Sequence, residues 1–171
     1  MLLTGLLPDI TTDPAIETAT DSVEAGRSGT IVAPVGIRPP LLAAVASRAA
    51  TPLVVLTATG RDAESLANAL ASWIPGVAML PAWETLPHER LSPQVDTMAR
   101  RIAVLRRLVH PITGDDSAGP MSVLVVPIRA FLQPIISGLA DLEPVRVRTG
   151  DILDLTETTN RLAELGYERV D

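Results

Sequence analysis

The run Ser122-Val-Leu-Val-Val126 is the clearest strand in the chain, with four consecutive aliphatic residues between a polar loop and a proline. Three further short, largely apolar runs lie at residues 30–35, 52–58 and 77–80. Strands that are apolar throughout, rather than alternating, are typical of a parallel sheet covered on both faces. Because helical patterns separate the four runs, the sequence predicts a doubly wound α/β domain.

Helices are predicted between and after these strands, at residues 41–50, 61–73, 93–110 and, as a short element, 129–136. Ser92-Pro93 is a strong helix start, because serine can cap and proline suits the first turn. Pro75-Gly76 ends the second helix. In the third helix we expect the apolar face to be formed by Met98, Ile102, Leu105 and Val109.

The two ends of the chain differ from this α/β domain, which we assign to residues 30–137. Residues 1–29 are acidic, and we interpret them as a loosely held arm, although Asp13-Pro14 could cap a short helix. Beyond residue 138, a half-exposed strand is predicted at 145–148, followed by a helix that a capping box of Asp154 and Glu157 begins. A further strand starts at residue 167, so we expect residues 138–171 to be an incomplete second domain.

The composition excludes several kinds of chemistry. All 14 basic residues are arginine, and cysteine is absent. Schiff bases, lysine-dependent phosphate loops, thiol nucleophiles and thiolate metal sites are therefore impossible. The net charge of −6 and four aromatic residues argue against nonspecific nucleic-acid binding and base stacking. No apolar run reaches the roughly 18 residues of a membrane span, so we expect a cytoplasmic protein without membrane contacts.

The loop after the first predicted strand lies where α/β sheets commonly bind ligands. It reads Gly36-Ile-Arg-Pro-Pro40. A phosphate cradle needs free backbone N–H groups at a helix N-terminus, and Pro39 and Pro40 remove two of them. We therefore expect no cofactor there; Arg38 remains either an anion contact or, more simply, an exposed arginine.

Catalytic and metal sites find weak support in the sequence. His88-Glu89 resembles the start of a zinc-protease motif, but Ser92 stands where the second histidine is required. We expect no metal site and no catalytic residue. Glu84, together with His88 and Glu89, nevertheless leaves open the alternative of a small α/β enzyme that uses the loop at residues 83–89.

The helix at residues 93–110 carries four arginines that form a candidate contact patch for DNA or an acidic partner. Arg100 and Arg107 lie near the pole opposite Met98, and Asp96 can pair with Arg100 at i, i+4. Arg101 and Arg106 flank the apolar stripe, where long side chains can extend their charged ends to solvent. The simpler interpretation is a solvated helix face with cations near its C-terminus.

Three strings carry a resemblance to a known family. They are Leu80-Pro-Ala-Trp-Glu-Thr-Leu-Pro-His-Glu-Arg-Leu-Ser-Pro-Gln-Val-Asp96, Val123-Leu-Val-Val-Pro-Ile-Arg-Ala-Phe-Leu-Gln133 and Leu165-Gly-Tyr-Glu-Arg-Val-Asp171. In order, they resemble the N-terminal region of the bacterial transcription-repair coupling factors. The residues of the motif are Trp83, Glu84, Thr85, Leu86, Pro87, Ser92, Pro93, Asp96 and Gln133.

This resemblance implies a motor-like domain, related to the phosphate-loop NTPases and to the B component of excinuclease ABC, that has lost its Walker A loop. An inserted α+β domain then recruits the A component of excinuclease ABC, and residues 138–171 supply only its beginning. The family's full-length protein recognises stalled RNA polymerase and moves along double-stranded DNA with ATP and Mg²⁺ bound in separate motor domains. The resemblance implies intramolecular contacts between this region and the C-terminal part. A protein similar to the excinuclease B component remains an alternative.

Overall fold

A three-stranded parallel sheet forms the centre of the molecule. The computed structural model describes residues 3–85, 94–114, 118–145, 147 and 149–164. The strands are β1 (Leu53–Thr57), β2 (Val77–Met79) and β3 (Val123–Pro127), in the order β1-β3-β2. Every residue of β3 is buried, as expected for a central strand whose side chains are apolar on both faces. This confirms the predicted α/β class with a parallel sheet.

Seven α-helices surround or extend this sheet within the described residues. They are α1 (Leu7–Thr11), α2 (Pro14–Glu24), α3 (Arg38–Arg48), α4 (Gly60–Leu70), α5 (Val95–Val109), α6 (Ile128–Leu132) and α7 (Leu155–Glu164). Short 3-10 turns occupy Thr4–Leu6, Val35–Ile37 and Leu139–Asp141. No helix in the described ranges is long and apolar enough to cross a bilayer.

The two faces of the sheet bury separate clusters. On one face, Val123 and Val125 pack with Ala43 and Ala46 of α3 and with Leu70 of α4. On the other face, Leu124 and Val126 pack with Val104 of α5 and with Ala130 of α6. This division follows from the alternation of side chains along β3. It also leaves the carboxyl ends of β2 and β3 close to α5 and α6, where the candidate site lies.

The turn before β2 requires glycine. Gly76 has a φ of +76°, and a Cβ atom there would lie 2.9 Å from the backbone nitrogen of Ser122. Both the positive φ and the close backbone approach exclude larger residues. In this conformation Gly76 accepts a hydrogen bond from Ser122 N at 2.9 Å. The helix predicted at residues 61–73 ends earlier than expected, because α4 ends at Leu70 and residues 71–73 form turns ahead of Pro75-Gly76.

The N-terminal residues are more firmly held than predicted. Ile16 and Ala19 of α2 pack against Leu41 and Ala44 of α3. Arg48 of α3 pairs with Asp21 at 2.9 Å and Glu24 at 2.7 Å. The interpretation of a loosely held arm is wrong for the described part of α1 and α2, because an apolar stripe and an ion pair fasten these helices to α3. The predicted cap is confirmed, since Asp13 accepts a hydrogen bond from Ala15 N at 2.9 Å.

Residues 30–35 do not form the predicted strand. They are irregular up to the 3-10 turn, and Val32 is 96% exposed. Pro34 lacks the N–H that a central strand needs, and the described residues provide no neighbouring strand for this segment. Consequently the described sheet has three strands rather than four. β1 lies at its edge, with Val54 and Leu56 half exposed.

The C-terminal prediction is confirmed in part. Asp154 Oδ1 accepts a hydrogen bond from Glu157 N at 2.9 Å and thereby caps α7. Val145 and Val147, however, are not in a strand. Arg146, Arg148 and the string at residues 165–171 lie outside the described residues.

Candidate functional site

Residues 81–85, which we call the strap, follow β2 at its carboxyl end. They have no regular secondary structure. The hydrogen-bond ladder of the sheet continues up to the strap, because Leu80 N donates to Val125 O at 3.0 Å. Beyond that point, side chains from α5 and from the α6 region contact the strap. The structure thus brings Trp83 and Glu84 of the quoted motif together with Gln133, which lies 50 positions later in the sequence.

Gln133 fixes the backbone of Trp83 through both ends of its amide. Trp83 N donates to Gln133 Oε1 at 2.8 Å, and Gln133 Nε2 donates to Trp83 O at 3.2 Å. These two bonds replace the sheet partner that Trp83 lacks. Because Gln133 ends α6, the short helix after β3 sets the position of the strap.

Arg101 lies beneath the strap and is completely buried. Its guanidinium lies 4.4 Å from the centre of the Trp83 ring, and its Nη1 donates to Pro81 O at 2.5 Å. Its Nε and Nη2 have no hydrogen-bond partner in the described part of the chain. Burial lowers the pKa of Arg101 below its ordinary value, but an arginine keeps its proton in proteins. The site therefore contains a buried, incompletely paired cation.

The carboxylate of Glu84 is engaged in the structure. It accepts a short hydrogen bond from Thr97 Oγ1 of α5. This bond is the main reason that the pKa of Glu84 is lowered, with smaller contributions from backbone N–H groups and from Arg100. The shift favours the charged form, whereas a general acid at neutral pH needs a raised pKa. Glu84 is thus suited to holding the strap rather than to donating a proton.

The remaining motif residues divide into described and undescribed ones. Asp96 pairs with Arg100 at 3.3 Å, which confirms the predicted i, i+4 contact. Arg129, which sequence reasoning did not single out, donates from Nη2 to Glu84 O at 3.2 Å. Thr85 is partly exposed. Leu86, Pro87, His88, Glu89, Ser92 and Pro93 lie outside the described residues.

The buried face of α5 differs from the predicted one. Its buried residues are Thr97, Arg101, Val104 and Leu105, whereas Val109 is exposed. The expectation that Arg101 reaches solvent is wrong, because Pro81 O and the Trp83 ring provide partners for a charged group in the interior. The spacing of Thr97, Arg101 and Val104 at i, i+4 and i+7 is the sequence signal that could have shown this face.

The four arginines of α5 do not form one continuous patch. Only Arg100 is exposed. Arg106 Nη1 donates to Leu142 O at 3.1 Å, and Arg107 Nε donates to Gly119 O at 3.0 Å. With Arg101 buried, these contacts direct the helix's cations to three different parts of the molecule.

The loop at Gly36 to Pro40 forms a 3-10 turn and the first turn of α3. Arg38 begins α3 and is exposed, and Pro39 and Pro40 occupy its first turn. Ile37 makes no side-chain cap. Neither proline has an N–H to offer an anion. Among the described residues, no group of three His, Asp or Glu side chains could hold a metal ion.

Comparison with known proteins identifies relatives of this chain. A Mycobacterium tuberculosis protein named transcription-repair-coupling factor is 46% identical over 145 residues, which is 83% of this chain. The protein of that name in Mycobacterium bovis matches equally well. The chain belongs to the transcription-repair-coupling factor family. The Escherichia coli transcription-repair-coupling factor is 26% identical over 133 residues, or 77% of the chain. No family model matches.

The resemblance to the transcription-repair-coupling factors is thereby confirmed. The chain spans 11% of the length of these relatives. The activity and partners of a whole transcription-repair-coupling factor therefore do not follow directly for these 171 residues.

Proposed function

We propose that this chain is an N-terminal recruitment and autoinhibition region of a transcription-repair-coupling factor and acts through protein contacts without catalysis. The observation that carries the proposal is the 46% identity over 83% of the chain to proteins of that name. The proposed domain is a motor-like domain, related to the excinuclease B component, that lacks a Walker A loop. Pro39 and Pro40 at the first turn of α3 support this part of the proposal.

The state of the strap favours a structural or partner-facing role over the small-enzyme alternative. Glu84 is the described carboxylate of that alternative, and its lowered pKa suits an ion-pair or hydrogen-bond acceptor. Gln133, Thr97 and Arg129 all hold the strap in place. Such extensive fastening is expected of a recognition surface or a structural link.

The whole protein, in this proposal, works in the cytoplasm on stalled transcription complexes. Motor domains outside this chain bind ATP and Mg²⁺, move on double-stranded DNA and release RNA polymerase. The second domain, which begins near residue 138, recruits the excinuclease A component. Intramolecular contacts between this region and the C-terminal part restrain the motor.

Recruitment is tested by measuring the binding of the excinuclease A component to the full-length protein and to the 171-residue chain. We expect the full-length protein, freed from autoinhibition by stalled polymerase, to bind. The short chain should bind at least tenfold more weakly, because it carries only the beginning of the second domain. Absence of binding by the released full-length protein contradicts recruitment.

Autoinhibition is tested by deleting residues 1–171 from the full-length protein. Loss of the restraining contacts should raise the basal ATPase rate several-fold without DNA or polymerase. The control is the intact full-length protein with Val32→Ala, a substitution at an exposed side chain. An unchanged ATPase rate after the long deletion contradicts the autoinhibitory role.

A further inference from the structure

Arg101 presents an unused hydrogen-bonding edge. Nε and Nη2 lie side by side on the planar guanidinium, and neither has a partner among the described residues. The contacts that Arg101 makes use other parts of the guanidinium. Nη1 donates to Pro81 O, and the Trp83 ring lies over the guanidinium. Two parallel N–H groups of this kind match the two oxygens of a carboxylate.

The nearby described carboxylates are occupied by other partners. Glu84 is bonded to Thr97, and Asp96 is paired with Arg100. A buried cation without an anion is unfavourable, because its N–H groups have lost water, and among the described residues nothing replaces it at Nε and Nη2. An added carboxylate would restore both hydrogen bonds and neutralise the charge.

The Trp83 side chain lies over the Arg101 guanidinium, 4.4 Å from ring centre to guanidinium. Both hydrogen bonds between Gln133 and Trp83 engage the backbone of Trp83, so neither of them holds its side chain. The Trp83 residue is only partly buried, although it covers a fully buried guanidinium.

We propose that the Nε–Nη2 edge of Arg101 is a binding site for an aspartate or glutamate side chain of a partner protein, with Trp83 as its movable cover. Arg129 donates to Glu84 O, and Arg100 acts on the Glu84 carboxylate through its charge, so both add positive charge near the strap. This site rests on the proposed protein-contact role and specifies it further. Binding at the site needs only an acidic side chain, whichever protein carries it. Its failure is therefore distinguishable from failure to bind the excinuclease A component.

The test uses N-acetylglutamate as the probe and Trp83 as the reporter. The chain has two tryptophans, so a Trp73→Phe background leaves Trp83 alone. We expect a saturable change in Trp83 fluorescence, at constant ionic strength, with N-acetylglutamate whose α-carboxyl group is blocked as a methylamide. The methylamide of N-acetylglutamine, which has the same shape and no carboxylate, should cause none. Arg101→Lys, which keeps the charge but loses the paired N–H groups, should weaken binding roughly tenfold.

Two further measurements keep the test decisive. If Arg101→Lys does not fold, the ¹⁵Nε–H resonance of Arg101 in the otherwise unchanged protein should shift downfield on titration. Equal responses to the acid and the amide, or an unshifted Arg101 resonance, overturn the proposal. Glu89→Gln should leave the titration unchanged. A response that appears only in Glu89→Gln also overturns it, because the chain's own carboxylate then fills the edge.

Discussion

The strap and the segment at residues 30–35 are both largely irregular, and each contains apolar residues and a proline. They differ in how firmly neighbouring elements hold them. The backbone of Trp83 is held on both sides by Gln133, and Pro81 O accepts a hydrogen bond from a buried arginine. By contrast, Val32 is almost fully exposed. Apolar composition is common to both segments, so it does not explain the difference.

The two segments differ in the hydrogen-bond partners that neighbouring elements place beside them. The strap runs past α5 and α6, which supply polar side chains that satisfy its backbone and its carboxylate. Residues 30–35 lack a neighbouring strand within the described part of the chain. An irregular segment is therefore ordered by donors and acceptors on packed elements.

The largest expected difference is between two valines in runs that both read as buried strands. Val125→Ala in β3 removes two methyl groups from a fully buried site and should cost about 2 to 3 kcal/mol of unfolding free energy. Val32→Ala should cost less than about 0.5 kcal/mol, because the side chain is exposed. Urea unfolding of both variants measures the difference. Equal losses would show that residues 30–35 are packed in solution.

Removal of the Trp83 ring should have the next largest effect. Trp83→Ala deletes a partly buried aromatic ring and its contact with Arg101, at a cost of about 2 kcal/mol. Glu84→Ala, at the neighbouring position, should cost much less, since that side chain is exposed. Thermal unfolding compares the pair. A larger loss for Glu84→Ala, or loss of an enzymatic activity with retained folding, would favour the small-enzyme alternative.

The two hydrogen bonds between Gln133 and the Trp83 backbone should contribute less to the unfolding free energy than the Trp83 ring does. Gln133→Ala removes two hydrogen bonds to the Trp83 backbone and should destabilise the chain by about 1 to 2 kcal/mol. Gln94→Ala is the matched control, because Gln94 is exposed and makes no side-chain cap. Hydrogen exchange at Trp83 N should accelerate in Gln133→Ala only. Unchanged exchange in that variant would show that Gln133 does not hold the Trp83 backbone.

The smallest expected effect is the pH dependence of Glu84. Its pKa in the folded state is lowered from the ordinary 4.5, chiefly by the hydrogen bond from Thr97. Its stabilising contribution is therefore present above pH 4.5 and lost as the pH falls through the lower folded-state value. The melting temperature of Glu84→Gln should be slightly below wild type at about pH 7 and converge with it in acid.

A Thr97→Val background provides the control for this pH dependence. Without the Thr97 hydroxyl, Glu84→Gln should cause little further change at either pH. A melting-temperature difference that grows as the pH falls would contradict the assigned direction of the pKa shift.

The elements that were predictable from sequence have local causes. The aliphatic run of β3, the turn at Gly76 and the Asp154 cap depend on residues that are adjacent in the chain. The motif of Trp83 and Glu84 was also recognisable, although its anchoring was not. These features combine short-range sterics with apolar patterning, which a single sequence displays directly.

The rest depended on contacts between distant residues. A charged side chain on a helix is normally exposed, so the sequence predicts that Arg101 extends its charged end to solvent. Its burial requires Pro81 and Trp83, which come from another element. Likewise, the exposed state of residues 30–35 depends on whether a neighbouring strand is available. Tertiary partners of this kind leave only weak signals, such as the spacing of Thr97, Arg101 and Val104.

The central claim is that this region of a transcription-repair-coupling factor acts through protein contacts and does not use ATP itself. Isothermal titration of Mg²⁺-ATP into the 171-residue chain tests this claim most directly. No saturable heat is expected, because the turn at Arg38 has two prolines in place of N–H donors and the chain contains no lysine. Stoichiometric, Mg²⁺-dependent ATP binding that is lost in Arg38→Ala would contradict the account.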